Sequence, residues 1–275
     1  MEPDRFDKES IGDPRLWRLY LRLGEERLDA MLYNVATDNT LIHRMFRLDN
    51  PDGRLKALED VVYDHPVLLG DFQSVDIIVE SMVFTIIPAE ITDPGLQRAI
   101  FDAQLPGNRD CEMILSHISE QNAVIAAGID SETARFLRRT FNNPPLHHHL
   151  APLCHYFYDK SRIGNAGKMY AHLRDGYLDL LLFGRDTLRL ANTYATRDSM
   201  DAVYYIIAAR QQLGLNPDSD ELLLAGDHNL REAVTPVLRE YLAYVMPAIF
   251  PSTMYRAGKE ALKAPFDLIV MPLCV

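Results

Sequence analysis

Residues 168–227 constrain the fold more than any other stretch of the chain. Two runs of alternating apolar residues, 169–173 and 178–183, flank an Asp-Gly dipeptide that supplies the positive φ angles of a tight hairpin turn. A third alternating run follows at 188–194 after a second turn. The three runs therefore predict an antiparallel, three-stranded meander.

The apolar period changes beyond this meander. Between positions 200 and 208, apolar residues recur at three- and four-residue steps, which is typical of an amphipathic helix. Asp198 or Ser199 can cap its N-terminus, and Gly214 suits the position after its last turn. Leucines 222–224 then form a continuous apolar run, typical of a strand covered on both faces. The whole stretch is predicted to be a β-β-β-α-β unit.

The same order recurs near the start of the chain. Alternating runs at 17–23, 28–33 and 41–48 precede a helical pattern from Arg54 and an apolar run at 75–79. Although the two copies share negligible identity, the repeated order predicts a structural duplication within an α/β protein.

The duplication divides the chain into an expected first lobe at 14–165 and a second lobe at 166–275, after a disordered lead at 1–13. The first lobe includes the less regular segment that connects the two copies. Patterns in this segment predict strands at 83–87, 112–118 and 123–127, helices at 96–105 and 131–141, and a partly helical stretch at 146–161.

Three helix limits depend on individual residues. Ser131 is predicted to be the N-cap of the helix at 131–141. Pro236 lacks an N–H group and disrupts a helix interior, so it is predicted to begin a helix at 236–244 with Thr235 as its N-cap. The apolar residues 265–275 fit either a strand or a docked helix, which periodicity does not distinguish.

Charge and cysteine content limit the classes of partner and compartment. A net charge of −11 opposes binding to nucleic acid or to an anionic membrane surface, because both need a concentrated basic face. The first ten residues lack the apolar core of a secretory signal, and no apolar run approaches the roughly 20 residues that span a bilayer. Three widely spaced cysteines suit reduced thiols. We therefore expect a cytoplasmic protein whose partner is a protein or a small molecule.

Several segments carry a resemblance to a known family. They are YYIIAARQQLGLNPDSDELLLAGD, the preceding NTYATRDSMDA, and the early strands LWRLYLRL and LDAMLYN. Together they resemble a bacterial family of unknown function that is assigned the actin-like ATPase fold, over nearly the whole chain from about residue 15. The resemblance implies two lobes that each descend from a ribonuclease-H-like unit, in agreement with the duplicated pattern.

The resemblance also indicates where a nucleotide would bind. Active members of the fold carry an Asp-x-Gly pattern on the first hairpin of each lobe, where backbone amides hold phosphate and the carboxylate organises Mg²⁺. The matching stretch of the first lobe is residues 22–24, where an arginine replaces the aspartate. In the second lobe it is either 172–174, which begins with a histidine, or the Asp-Gly turn at 175–176. Both phosphate loops are thus predicted to be degenerate, which disfavours ATP with Mg²⁺ as a cofactor.

Five residues remain as candidates for cofactor binding in the cleft between the lobes. Gly24 and Gly176 lie at the two hairpin turns. Gly226 and Asp227 follow a buried strand and partly match the Gly-Gly-Ser or Gly-Gly-Thr pattern that contacts adenosine in the fold, although a single glycine there is common at the start of a helix. Asp179 is the carboxylate that interrupts an otherwise apolar strand, which is also ordinary where one strand face meets water. No catalytic residue is assigned.

The densest group of metal-ligand residues is at His147, His148, His149, Cys154 and His155. Imidazole nitrogens and a thiolate are good ligands for borderline metals. Consecutive histidines point in different directions, however, and no second pair stands at a ligand spacing, so a polar turn is the favoured interpretation over a metal site. The sequence also lacks a nucleophile-elbow, Walker or His-Glu-x-x-His signature.

Two functional hypotheses remain open. The degenerate phosphate loops favour a non-catalytic binding or scaffold protein. The fold, with Gly24 and Gly226, allows a diverged nucleotide-binding ATPase or a sugar-kinase-like enzyme as the alternative. A cleft filled by side chains would favour the first hypothesis. Assembly through an exposed strand edge or through the apolar tail at 265–275 is a third, weaker possibility.

Overall fold

The computed structural model describes residue 6 and residues 11–274, apart from residues 35, 37–39, 108–109, 185–186, 256 and 259. Most of the lead predicted at 1–13 therefore lies outside the described residues. Phe6 is described, and its ring packs edge-on against Phe46 with the ring centroids 5.7 Å apart.

Thirteen strands are described. In chain order they are β1 Arg18–Leu23, β2 Arg27–Asn34, β3 Thr40–Arg47, β4 Ser74–Val79, β5 Phe84–Pro88, β6 Glu112–Ile118, β7 Ala123–Ile129, β8 Leu146–His148, β9 Lys168–Arg174, β10 Tyr177–Phe183, β11 Leu188–Ala195, β12 Glu221–Gly226 and β13 Val245–Pro247.

Eight α-helices are described between and after these strands. They are α1 Arg54–Asp64, α2 Pro94–Gln104, α3 Ser131–Thr140, α4 Leu150–Ser161, α5 Ser199–Gln212, α6 His228–Leu238, α7 Ser252–Tyr255 and α8 Phe266–Val270. Short 3-10 turns cover Pro14–Leu16, Pro66–Leu69, Ser119–Gln121 and Met271–Leu273.

Two five-stranded sheets share one topology. The first sheet has the order β3-β2-β1-β4-β8 and the second sheet has the order β11-β10-β9-β12-β13. In each sheet, the first three strands form an antiparallel meander. The fourth strand pairs in parallel with the first, and the fifth pairs in parallel with the fourth. Helix α1 connects the meander to β4, and α5 does the same for β12. The predicted duplication of a β-β-β-α-β unit is therefore confirmed.

The turn and the helix cap predicted within residues 168–227 are both present in the structure. Gly176 has φ = 72° in the hairpin turn, where β9 and β10 begin pairing at Arg174 and Tyr177. Asp198 is the N-cap of α5, because its side chain accepts hydrogen bonds from the N–H groups of Met200 and Asp201 at 2.8 and 3.2 Å. The turn and the cap thus fix where the strands and the helix begin.

Two predicted helix limits are wrong. The N-cap of α3 is Asp130 rather than Ser131, since the Asp130 carboxylate accepts the N–H of Thr133 at 2.8 Å. Helix α6 begins at His228 and contains Pro236 in its last turns. An N-cap directly after β12 starts this helix eight residues before the proline, so the missing N–H costs a single bond near the helix end.

A small sheet and two crossing helices complete the architecture. The small sheet, with the order β5-β7-β6, is inserted between β4 and β8. Helix α4 follows the first sheet but packs against the second, where Phe157 stacks on Tyr170 with the ring centroids 4.3 Å apart. Helix α8 follows the second sheet but packs against the first, with Leu268 and Ile269 in the same core cluster as Tyr20. Each crossing helix therefore attaches one sheet to the other.

The C-terminal segment is one of these helices. The residues at 265–275, for which strand and helix were both open, form α8 and a 3-10 turn. All five residues of α8 are buried within the same chain. Residues 266–271 of the apolar tail are thus part of the core, and assembly through this segment stays a prediction. The lobe boundary at 165/166 stays a prediction.

Candidate functional site

The first hairpins of the two sheets place equivalent residues where the sheets meet. The carbonyl oxygen of Leu23 accepts the N–H of Glu80 at 2.9 Å, and that of Leu173 accepts the N–H of Asp227 at 2.8 Å. In each sheet this leucine also pairs with a leucine of the second strand. The shared register makes four pairs of positions equivalent: Arg22 and His172, Gly24 and Arg174, Asp29 and Asp179, and Glu80 and Asp227.

Asp179 is the centre of the second sheet's half of the site. It lies fully buried on β10, and its carboxylate accepts hydrogen bonds from Arg174 Nε and Nη2 at 2.8 and 2.9 Å. Thr193 Oγ1 donates to it at 2.7 Å, and His172 Nδ1 lies 2.9 Å from its Oδ2. Burial alone would raise the pKa of Asp179, but Arg174 and His149 hold it well below its ordinary value. The carboxylate is therefore ionised and fully engaged.

Arg22 is the centre of the first sheet's half. Its side chain is fully buried, and its Nε donates to Asp267 Oδ2 of helix α8 at 2.7 Å. Burial alone would raise the pKa of Asp267, but Arg22 and His172 hold it below its ordinary value. Asp29 is more loosely placed, with its Oδ2 3.7 Å from Arg22 Nη1, too far for a hydrogen bond.

Glu80 joins the two halves. Its Oε1 accepts a short hydrogen bond from Arg22 Nη2 of the first sheet and another from Arg174 Nη1 of the second sheet at 2.7 Å. Burial alone would raise the pKa of Glu80, but the two guanidinium groups more than offset it, and the pKa is lowered. An arginine from each sheet thus shares one carboxylate at the junction.

His149 enters the site from the turn before α4. Its Nε2 lies 3.2 Å from Asp179 Oδ1 and 3.2 Å from Thr193 Oγ1. Burial lowers the pKa of His149, although the negative charge of Asp179 acts in the opposite direction. The ring is therefore neutral near pH 7. Among the described residues its Nδ1 is buried without a hydrogen-bond partner.

A cavity of about 280 Å³ opens beside this ionic network. Its volume is just below the roughly 300–1,000 Å³ typical of ligand pockets. Its wall mixes charges of both signs, and the ionisable side chains in it are Glu25, Arg54, Glu80, Asp130, His149, Arg174 and Tyr177. Across its mouth, Tyr177 of the second sheet donates a hydrogen bond to Glu25 of the first at 3.1 Å.

The two hairpin glycines predicted to bind a cofactor have different surroundings. The N–H of Gly24 donates to the carbonyl oxygen of Arg27 at 2.9 Å inside its own hairpin. A Cβ on Gly24 would lie 2.7 Å from Glu80 Oε2, so the Glu80 side chain covers this turn. Gly176 has open space around it within 4 Å.

The other three predicted residues are accounted for by the fold. A Cβ on Gly226, where φ is 88°, would lie 2.0 Å from the carbonyl oxygen of Leu173, so only glycine lets β12 approach β9 this closely. Asp227 is the N-cap of α6 and accepts the N–H of Leu230 at 2.9 Å. Asp179 is buried and held by Arg174 and Thr193, whereas Asp227 is exposed. The five candidates therefore do not converge on one open pocket.

The histidine-rich stretch has several separate partners. His147 Nε2 lies 3.2 Å from Asp76 Oδ1, while His148 Nε2 lies 2.9 Å from the carbonyl oxygen of Ser81. His149 faces Asp179, and His155 Nδ1 lies 3.0 Å from Glu120 Oε2. Within the described residues, no group of three or more His, Cys, Asp or Glu side chains could hold a metal ion.

Sequence reasoning missed most of the ionic network. The sequence pattern indicated Asp179 and the cations at Arg22 and His172, and it marked His149 only as a candidate metal ligand. It did not indicate the other members of the network, which are Asp29, Glu80, Arg174 and Asp267. The sequence did contain a signal for this network. Arg22 and Asp29 each interrupt an apolar strand, at the positions that His172 and Asp179 occupy in the second copy of the repeat. A charge at a buried strand position needs a partner of opposite sign.

Comparison with known proteins identifies the family and the fold. A family model described as Protein of unknown function (DUF3822) matches residues 7–245. No curated protein sequence matches the chain. A crystal structure from Bacteroides thetaiotaomicron VPI-5482, described as a protein with actin-like ATPase fold and unknown function, is 26% identical, with a TM-score of 0.78 over 86% of this chain and 91% of that one. The predicted actin-like ATPase fold is confirmed.

One more distant structure shares the fold, and a second is less similar. The PilM-PilN type IV pilus biogenesis complex contains a chain that is 13% identical, with a TM-score of 0.58 over 95% of this chain and 98% of that one. The cytoplasmic domain of EpsL, from the type II secretion system of Vibrio cholerae, is also 13% identical, with a TM-score of 0.46 over 92% and 97%.

Proposed function

The chain belongs to the family described as Protein of unknown function (DUF3822), and we propose that it is a non-catalytic binding or scaffold protein. The single observation that carries this proposal is the shared carboxylate of Glu80, which bonds Arg22 and Arg174 where the two phosphate loops of the fold would face each other. Ion pairs within the chain join the two sheets at the place that nucleotide occupies in active members.

The residues at the junction do not fit ATP with Mg²⁺. Three carboxylates, Glu25, Glu80 and Asp130, line the cavity and would repel a triphosphate. The amide of Gly24 is already used within its hairpin. Asp179 has its oxygens engaged by Arg174 and Thr193, which leaves it a poor Mg²⁺ ligand. These contacts support a protein that has lost the nucleotide chemistry of its fold.

A protein partner is the favoured ligand class. PilM, which shares the fold, is part of a complex with PilN, so the fold is compatible with a role in assembly. The predicted cytoplasmic location belongs to this proposal, and it is supported by three free cysteines. No helix in the described part of the chain reaches the length and hydrophobicity needed to cross a bilayer. The exclusion of nucleic acid stays a prediction from the acidic net charge.

Thermal unfolding with and without ATP and Mg²⁺ tests the proposal. A ligand that binds the native state stabilises it, by about 2.7 kcal/mol at a concentration 100 times its Kd. We expect the melting temperature to stay unchanged at millimolar ATP and Mg²⁺, with no phosphate release. A melting temperature that rises with ATP concentration, together with turnover, would contradict the proposal and favour the ATPase or sugar-kinase-like alternative.

Two matched variants locate any nucleotide that does bind. Met82 is 44% exposed and lines the cavity, whereas Met45 is 46% exposed on β3 and lies outside it. Met82→Trp would fill part of the cavity, and Met45→Trp would add the same surface elsewhere. A thermal shift lost in Met82→Trp alone would place nucleotide in the cleft. A shift kept in both variants would indicate adventitious binding.

A further inference from the structure

The outward face of helix α5 is apolar. Its inward face packs on the second sheet through buried residues that include Ala202 and Ile206. On the other side, Met200 is 53% exposed and Tyr204 is 67% exposed, and Ile207 continues their face one turn further on. A helix that is apolar all round is normally buried. The exposed face of α5 therefore lacks the cover that its composition suits.

The equivalent helix of the first sheet provides an internal comparison. Helix α1 occupies the same place in the repeat, between the meander and the fourth strand. Its outer face carries Lys56 and Asp60, and Lys56 Nζ lies 2.6 Å from Asp60 Oδ1. An ordinary solvent-facing helix has such a charged surface. The architecture does not require an apolar outer face, so the face of α5 is specific to the second copy.

The apolar face continues onto helix α6. Between α5 and α6 runs a groove of about 270 Å³ whose lining side chains are all uncharged. Gln211 is one of its eight lining residues, and the other seven are apolar or aromatic, among them Met200, Tyr204, Ile207, Val237 and Tyr241. Tyrosine and methionine are enriched, and charged residues depleted, at the core of protein–protein interfaces. The groove has the composition of such a core.

Two acidic residues are next to groove residues in the sequence. Asp201 directly follows Met200 in α5, and its carboxylate accepts the N–H of Arg197 at 2.9 Å. Glu240 is exposed and directly precedes Tyr241 in the turn after α6. The chain as a whole carries a net charge of −11. Charge complementarity therefore favours a partner with basic residues beside its apolar stripe.

We propose that the groove between α5 and α6 binds the apolar face of an amphipathic helix from a partner protein, with Lys or Arg along its flanks. A helix that binds in a groove buries anchor side chains spaced three and four residues apart along its own sequence. The exposed side chains of α5, at positions 200, 204 and 207, have the same spacing. A second copy of this chain is the less suitable occupant, since it carries the same acidic net charge.

Synthetic peptides of about 18 residues, five helical turns, test the surface directly. The first carries a Leu stripe flanked by Lys, the second the same stripe flanked by Glu, and the third has the composition of the first with the stripe scrambled. Fluorescence anisotropy measures binding to the full chain. We expect saturable binding of the first peptide and binding of the second and third that is at least ~10-fold weaker, a difference of about 1.4 kcal/mol.

Two tyrosine variants provide the matched control. Tyr204 on α5 and Tyr63 on α1 are 67% and 54% exposed, respectively. Tyr204→Glu should weaken binding of the Lys-flanked peptide by ~10-fold or more, because an interface tyrosine is often an energetic anchor. Tyr63→Glu should leave it unchanged. Equal weakening in both variants, or equal binding of the scrambled peptide, would overturn the proposal.

The oligomeric state excludes the competing occupant. Light scattering over a range of concentrations should show a monomer for wild type and for both variants. A dimer that Tyr204→Glu dissociates and Tyr63→Glu does not would assign the groove to a second copy and overturn the proposal. The inference rests on the proposed scaffold role, but separate experiments test the two proposals. ATP turnover tests the cleft between the sheets, whereas peptide binding tests the groove beside α5.

Discussion

Asp29 and Asp179 occupy the same position of the repeat, yet they are held differently. Asp29 has Arg27 Nε at 3.1 Å and His43 Nε2 at 3.0 Å, and Arg27 is 41% exposed. Asp179 has a bidentate arginine and a threonine, with two histidines in contact, all of them buried. Both aspartates are buried, but Asp29 has a partner that reaches water, while every partner of Asp179 is buried.

The difference arises at the residue that follows the equivalent leucines Leu23 and Leu173 in the first hairpin of each sheet. The first sheet has Gly24 there, which closes a hairpin and leaves space that the Glu80 side chain covers. The second sheet has Arg174, whose guanidinium bonds both Asp179 and Glu80. The arginine at the glycine position therefore connects the second hairpin to Glu80 of the first sheet.

The largest expected effect is at this aspartate. Asp179→Ala leaves Arg174 buried without its main partner, and removing one member of a buried ion pair costs about 3–5 kcal/mol. Asp29→Ala should cost less, about 1–3 kcal/mol, because water can reach Arg27. Urea denaturation of the two variants measures the difference. Equal losses would mean that the enclosure of Asp179 does not contribute to stability.

Two of the three glycines predicted as ligand contacts give the next effect. Gly226→Ala should cost about 3 kcal/mol, the upper end of the cost of local strain, because its Cβ would clash with the carbonyl oxygen of Leu173. Gly176→Ala should cost about 1 kcal/mol, since φ is positive but the space is open. Urea denaturation again provides the values. A larger loss for Gly176→Ala would show that its turn has contacts beyond its own hairpin.

The repeated unit was accessible from sequence because its signals are local. The Asp-Gly turn, the Asp198 cap and the change of apolar period each act within a few residues. The limit of α6 was missed because two local signals compete there. Asp227 caps the start of the helix, while Pro236 predicts a later start. Because Pro236 lies near the end of α6, its missing N–H removes one hydrogen bond there and does not prevent the helix.

The ionic network was less accessible because its members are far apart in sequence. Arg22 and Asp267 are separated by 245 positions, and Arg174 and Glu80 by 94. No local pattern links such residues, and their pairing depends on how α8 crosses beneath the first sheet. Charges that interrupt buried strands indicate that partners exist, but only the assembled fold identifies them.

The buried histidines at the end of β8 predict a pH dependence of stability. His148 is the last residue of β8 and His149 follows it, whereas Ile249 and Phe250 occupy the equivalent positions after β13. Burial first, and then the neighbouring ring, holds the pKa of His148 well below its ordinary value. The unfolded chain therefore binds protons below about pH 6.5 that the folded chain does not. The free energy of unfolding should fall as pH decreases from there, by up to about 1.4 kcal/mol per pH unit for each histidine.

Urea denaturation at several pH values between 7.5 and 5 measures this slope. In His148→Gln the amide keeps a donor for the carbonyl oxygen of Ser81, so the slope should decrease while the fold is retained. Below about pH 4 a second loss should follow, because the pKa values of Glu80, Asp179 and Asp267 are lowered in the folded protein. A wild-type free energy that is constant from pH 7.5 to 5.5 would contradict the neutral, buried state of these histidines.

The smallest expected effect is at the mouth of the cavity, where Tyr177 donates to Glu25 across the sheets at 3.1 Å. This contact joins the same two hairpins as the buried network, but water competes for both groups. Tyr177→Phe removes the hydroxyl and keeps the ring over Arg174, so we expect a loss of about 0.5 kcal/mol. A double-mutant cycle with Glu25→Gln isolates the pair, and its coupling should be equally small. If the coupling approached the cost of Asp179→Ala, contacts at the rim would join the sheets as strongly as the buried arginines, and a ligand entering the cavity would have to separate them.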